Sequence, residues 1–192
     1  MSATTLDLSG GSRMATKLAA MRAALGTARG VRVGFLEDAT YPGNDGGARL
    51  EAAADRAKAL YDQGYGDPSW EPRLRSWAAW QKTHNPIIHV AQVAFWHEFG
   101  TTTEKPRAFF RGMINRDSPE WGAKLGGYLR DSEYNGDRAF KLLGVDIEEA
   151  LKDSIQTWSG DNAKLTVLIK GFNHGLVDNS VMVRAVDFEV QE

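Results

Sequence analysis

The chain has 192 residues, 42% hydrophobic and 25% charged, which suits one soluble domain able to bury a core without covalent staples. It has no cysteine, which excludes disulfides and thiolate zinc sites. Its 23 Lys and Arg against 25 Asp and Glu exclude a nucleic-acid binder that works by bulk positive charge. No apolar run reaches the length of a membrane span. The opening MSATTLDLSGGSRMATK lacks the apolar stretch of a signal peptide, so synthesis in the cytoplasm is expected.

Residues 1–11 are small and polar and predict a mobile start. Ser12 is a candidate cap for a helix over about 13–28, with Met14, Leu18, Met21 and Leu25 at helical spacing. Gly26 and Gly30 break it. Val31, Val33 and Phe35 alternate with Arg32 and Gly34, the period of a half-buried strand. Residues 41–47, YPGNDGG, predict a loop. Residues 48–63 predict a helix on propensity, ended by Gly64, Gly66 and Pro68. The stretch 69–86 carries Trp70, Trp77 and Trp80 and predicts a helix with Trp77 and Trp80 packed on the core. The competing reading is a partner surface. Residues 87–100 open like a strand and continue as a helical turn, with Gly100 suited to a cap or bend.

Further on, Asp117-Ser118 followed by Pro119 predicts a helix start. Residues 133–137 predict a turn. The strongest helix follows over about 137–158, with Phe140, Leu143, Ile147, Leu151, Ile155 and Trp158 on one face and Asp137 as its cap. Residues 181–190 predict a strand with Val186, Phe188 and Val190 on one face. The expected fold is α+β, a small and mostly antiparallel sheet packed against helices.

Chemistry is sparse. His97-Glu98 begins like a zinc-protease helix, but the second His would fall at Thr101, and Gly100 interrupts the helix. There is no G-x-S-x-G turn and no glycine-rich phosphate loop. A metal-dependent hydrolase would have to assemble His89, His97 and Glu98 from this material. A nucleic-acid module would use Arg73, Arg75, Trp77 and Trp80 for stacking and phosphate contacts. No catalytic, cofactor or metal residue is assigned. Residues 169–179, IKGFNHGLVDN, fit either a structured turn or a docking loop.

Three stretches taken together, VRVGFLEDATYPGN, VAQVAFWHEFGTTTEKPRAFFRGMI and KGFNHGLVDN, resemble in order and spacing the tail-completion or minor tail family of tailed bacteriophages. The departures are Ala108 and Gly175, where that family has Pro, and Asn179-Ser180, where it has Thr-Gly. Residues 45–86 have no counterpart and read as a helical insertion within a single domain over 1–192. The resemblance implies a virion protein without enzyme activity or cofactor, assembled in the host cytoplasm. It implies a ring, expected to be hexameric, at the neck of the tail. The implied partners are other copies, a connector or head-closure protein, and a tail-terminator or tail-tube protein. Double-stranded DNA would pass through the channel without specific binding, and no membrane is involved.

On this reading the contact residues are Glu98, Thr101, Thr102, Thr103, Arg107, Phe109, Phe110, Arg111, Lys170, Phe172 and Asn173. Glu98 is expected to be a structural carboxylate that caps the 101–103 loop or pairs with Arg107 or Arg111. Residues 101–105 are expected to form a mobile arm, anchored by 106–111 beside a neighbour. Only one of the adjacent Phe109 and Phe110 should enter the core. Arg111 is expected to be exposed, so that Arg111→Glu would leave the fold intact.

Overall fold

The structure, a computed structural model, describes residues 9–41, 47–84, 87–102, 104–177 and 180–192. Thr103 and parts of the expected mobile start, of the 41–47 loop, of the Trp stretch and of the 169–179 turn lie outside the described residues. The described chain has eight helices and one two-stranded antiparallel sheet, an α+β fold as the sequence predicts. It divides into two compact units, Met1–Gly34 with Gly112–Leu151 and Asp187–Glu192, and Phe35–Arg111 with Lys152–Val186.

The first unit takes α1 (Ser9–Leu25), nearly all of β1 (Gly30–Phe35) and β2 (Val186–Gln191), and most of α5 (Phe109–Asp131) and α6 (Gly136–Gln156). The Arg29 N–H donates to Gln191 O at 2.8 Å, and Arg32 pairs across the strands with Glu189 at 3.4 Å. Phe188 lies against α6 at Gly144, where a Cβ would come within 2.3 Å of the Phe188 ring. Only glycine permits that approach. Along α6, Leu143, Ile147, Leu151 and Ile155 form the buried stripe that the helical spacing predicts. Trp158 falls beyond the helix end. The cap is Asn135, whose Oδ1 accepts the Arg138 N–H at 2.9 Å, and not Asp137, which sits inside the first turn. Tyr128 on α5 donates to Asp146 on α6 at 2.7 Å, and Lys124 pairs with the same carboxylate at 3.1 Å.

Two expectations for this unit change. Helix α1 starts at Ser9 rather than at about 13, and its Met14 and Leu18 are exposed. Helix α5 starts at Phe109, well ahead of Asp117-Ser118, and runs through Pro119. Pro119 forgoes one backbone hydrogen bond, which a helix of this length tolerates.

The second unit holds α2 (Ala48–Asp62), α3 (Trp70–Thr83), α4 (Val90–Phe99), α7 (Lys164–Lys170) and α8 (Val181–Arg184). Leu50, Ala53, Ala54 and Ala57 of α2 meet Leu74 and Ala78 of α3, and Trp70, Leu165, Leu168 and Ile169 close this small core. The alanines let the two helices approach closely and leave no room for an indole between them. Trp77 and Trp80 are accordingly 44% and 50% exposed, which corrects the expectation that they face the core. The 45–86 segment packs on α7: Arg56 donates to Leu168 O at 2.7 Å and Arg49 to Ile169 O at 3.3 Å. These cations satisfy carbonyls at the C-terminal end of α7.

The strand-like opening of 87–100 is limited to one antiparallel bridge between His89 and Thr40, after which α4 is fully helical. Likewise α8, with Met182 and Val183 buried and α4 beside it, replaces the first part of the expected terminal strand.

Candidate functional site

The sequence of α4, VAQVAFWHEF, is apolar on nearly every side. Val90, Ala94 and Glu98 recur at a spacing of four and face inward. On the outside, Phe95, Trp96 and Phe99 are 59%, 43% and 53% exposed, and the Phe95 and Phe99 rings pack 4.7 Å apart.

Glu98 is buried, and its carboxylate accepts from Phe110 N at 2.9 Å, Arg111 N at 3.2 Å and Arg111 Nε at 2.7 Å. Arg111 Nη2 also donates to Glu98 O at 2.9 Å. A side chain on α4 therefore satisfies the orphan N–H groups that begin α5. The expected Glu98–Arg111 pair is present, while the capped segment is the start of α5 and not the 101–103 loop. Phe109 is buried, with its ring edge-on to Phe35 at 6.4 Å and its carbonyl accepting from Ser154 Oγ at 2.8 Å. Phe110 is half-buried.

Gly100 turns the chain with φ 77°, and a Cβ there would meet Glu104 O at 2.7 Å. The Thr101 N–H donates to Glu104 O at 3.0 Å, and the Glu104 N–H returns to Thr101 Oγ1 at 3.0 Å. The expected mobile arm is thus a hydrogen-bonded turn at its described residues. The Arg107 N–H donates to His97 O at 2.6 Å, and Arg107 Nη1 reaches Gly175 O at 2.9 Å.

The KGFN segment is equally built. Lys170 Nζ donates to the carbonyls of His174, Gly175 and Val177 at 3.2, 3.3 and 3.0 Å and lies 5.8 Å from the Phe172 ring. Asn173 Oδ1 accepts the Asn162 N–H, and Asn173 Nδ2 donates to Asp161, both at 2.9 Å. Asn162 Nδ2 donates to His174 O at 2.8 Å.

The expected contact residues therefore divide. Glu98 and Phe109 are buried, which removes them from any outer surface. Thr101, Arg107, Arg111, Lys170 and Asn173 are engaged within the unit, and Thr102 and Phe172 are exposed. The exposed aromatic face of α4 is in none of these positions. Its sequence signal was three large aromatic residues, Phe95, Trp96 and Phe99, in a ten-residue helix whose polar residues are limited to Gln92, His97 and Glu98.

A cavity of about 400 Å³ lies beside α4, lined by Tyr41, Ile88, Val93, Trp96, His97, Thr101, Glu104, Arg107, Asn162, Thr166, Lys170, Gly175 and Leu176. Each of the three resembling stretches contributes to it. Burial, with Arg107 and Lys170 nearby, pushes the His97 pKa down from 6.5 to about 4. The unfolded imidazole takes its proton near pH 6.5, while the folded one resists until about pH 4. The stability that neutral His97 provides is full above pH 6.5 and falls as the pH drops toward 4. The loss is expected to reach up to about 3 kcal/mol. His97→Gln should flatten that part of the melting-temperature profile, and an unchanged slope would assign it to other groups.

Among the described residues no group of three or more His, Asp or Glu could hold a metal ion. The carboxylate of Glu98 is turned to α5 and does not join His97 and His89 as the hydrolase reading requires. On α3, Arg75 of the nucleic-acid reading is held by Glu51 and Asp55 at 2.9 Å each and by Glu71. Arg73 instead lies over Trp77 at 5.4 Å, and Trp80 stacks on His84 at 4.8 Å. No helix among the described residues is long and apolar enough to cross a membrane. No family model matches the chain, and neither curated proteins nor solved structures show a significant similarity to it.

Proposed function

We propose that the chain is a structural ring protein of a tailed-phage neck, completing the tail end and joining it to the head connector without catalysis. The observation that carries this reading is α4. An exposed helix face that carries several large aromatic side chains marks a surface that a partner covers. Here the chain itself buries the face of Val90, Ala94 and Glu98 and half-buries Val93 and His97 beside it. Phe95, Trp96 and Phe99 are left to a neighbour, with the Arg111 guanidinium 5.0 Å from the Phe99 ring. Aromatic residues and Arg are the usual anchors of such contacts.

In a closed ring the contact is heterologous, so this face meets a different surface of the next copy. A hexamer is the expected closure. The head-closure or connector protein and the tail-terminator or tail-tube protein take the two ends. A net charge of −2 suits a channel through which DNA slides, because phosphate binding grows with the number of Lys and Arg contacts.

The test is a Phe95→Ser/Trp96→Ser chain in an infection-complementation assay. Both side chains are exposed, so thermal unfolding should shift little. Electron microscopy should then find tails unjoined to heads. Normal virions from this variant would remove α4 from the assembly interface.

A further inference from the structure

The cavity beside α4 has the composition of a binding site; it shares Trp96 with the exposed face of that helix, and only the alternative of a neighbouring chain as its occupant rests on the ring reading. Its volume of about 400 Å³ is in the range of small-molecule pockets. Ile88, Val93, Trp96 and Leu176 give it an apolar portion. In the rest, the cations Arg107 and Lys170 stand against one acid, Glu104.

That internal pairing is loose. Glu104 Oε2 lies 3.6 Å from Arg107 Nη2, beyond hydrogen-bond length, and the Glu104 side chain is 54% exposed. Arg107 itself is 16% exposed and has five N–H donors. Among the described residues its guanidinium engages only Gly175 O and, at that longer distance, Glu104. Lys170 Nζ is directed to three backbone carbonyls, so it acts on the cavity through its charge.

Asn162 supplies the second, independent observation. It is 8% exposed and stands between this cavity and a second one that Arg56, Trp70 and Lys164 also line. Its Nδ2 is fixed on His174 O, which sets the orientation of the amide. Its Oδ1 has no hydrogen-bond partner among the described residues. A buried acceptor held in this way calls for a donor on whatever fills the cavity.

The geometry points to a site for a carboxylate-bearing group that also carries a hydrogen-bond donor. Arg107 takes the carboxylate in place of Glu104, Asn162 Oδ1 accepts from a hydroxyl or amino group, and Val93, Trp96 and Leu176 cover the apolar body. The group arrives on a free small molecule or on an acidic segment of a neighbouring chain.

Calorimetric titration of the full chain with three probes tests this. The probes are para-hydroxyphenylacetate, phenylacetate, which lacks the donor, and tyrosol, which lacks the charge. The first should bind, and removing either group should weaken binding about tenfold. Amide resonances of Arg107 and Asn162 should shift on binding. Arg107→Gln should abolish the advantage of the acid over tyrosol, and Arg107→Lys should keep part of it. The ranking of probes on the unaltered chain stands whether or not these variants fold. Absence of binding at millimolar para-hydroxyphenylacetate, or equal binding of tyrosol, overturns the assignment. Sedimentation with and without saturating para-hydroxyphenylacetate separates the two sources. Weakened self-association identifies a neighbour's acidic side chain, and unchanged association identifies a free molecule.

Discussion

Replacing Glu98 with Ala should lower the stability of the chain by about 2–4 kcal/mol, since it removes a helix cap and a charge-assisted pair together. Two backbone N–H groups at the start of α5 and the Arg111 Nε lose their common acceptor. Arg111 is about half exposed, so water recovers part of the loss and the cost stays below that of a wholly buried broken pair. Glu98→Gln keeps one acceptor oxygen and should fall between the variant and the parent. Urea unfolding measures both. A Glu98→Ala chain within about 0.5 kcal/mol of the parent would show that α5 starts without this cap.

The same geometry reverses the sequence-based expectation for Arg111. With Glu98 buried 2.7 Å from Arg111 Nε, Arg111→Glu places one carboxylate against another instead of altering a free surface. It should destabilise more than Arg111→Ala does. An assembly defect in Arg111→Glu would therefore report misfolding as readily as a lost partner. The exposed Phe95 and Trp96 give a cleaner separation of folding from assembly.

What the sequence revealed and what it hid follow from the range of the signals. The stripe of α6 was legible because Leu143, Ile147, Leu151 and Ile155 repeat within one helix. Gly100 was legible because its positive φ is a local demand. The start of α5 was not, because its cap comes from Glu98 on another helix, while Asp117 and Ser118 supply a local start signal that the longer helix overrides. The site showed the same divide. HEFGT and KGFN stood out as unusual segments, yet the roles of Glu98 and Lys170 are inward, toward backbone groups remote in sequence or in the following turn. Asn162 carried no signal at all. Its place in the cavity depends on Asn173 and His174 holding its backbone and side chain from across a turn.

The Trp-rich helix gives the sharpest contrast between sequence and structure, and a second large effect. Large aromatic residues at a spacing of three suggest a core face, but α3 turns Leu74 and Ala78 inward, both fully buried. Leu74→Ala should cost about 2–5 kcal/mol, because it opens a void among closely spaced helices that can collapse only in part. Trp77→Ala removes an exposed indole and its contact with Arg73, and should cost only about 0.5–1 kcal/mol. The consequence of the Leu74 change extends to α7, since Leu165, Leu168 and Ile169 pack on the same core and Arg49 and Arg56 reach across to the α7 carbonyls. Hydrogen exchange in the Leu74→Ala chain should therefore quicken at the end of α7 and in the Lys170 turn as well as in α2 and α3. If Trp77→Ala proved the more damaging of the two, the inner face of α3 would be the indole face. The anchoring of α7 by the 45–86 segment would then have to be abandoned with it.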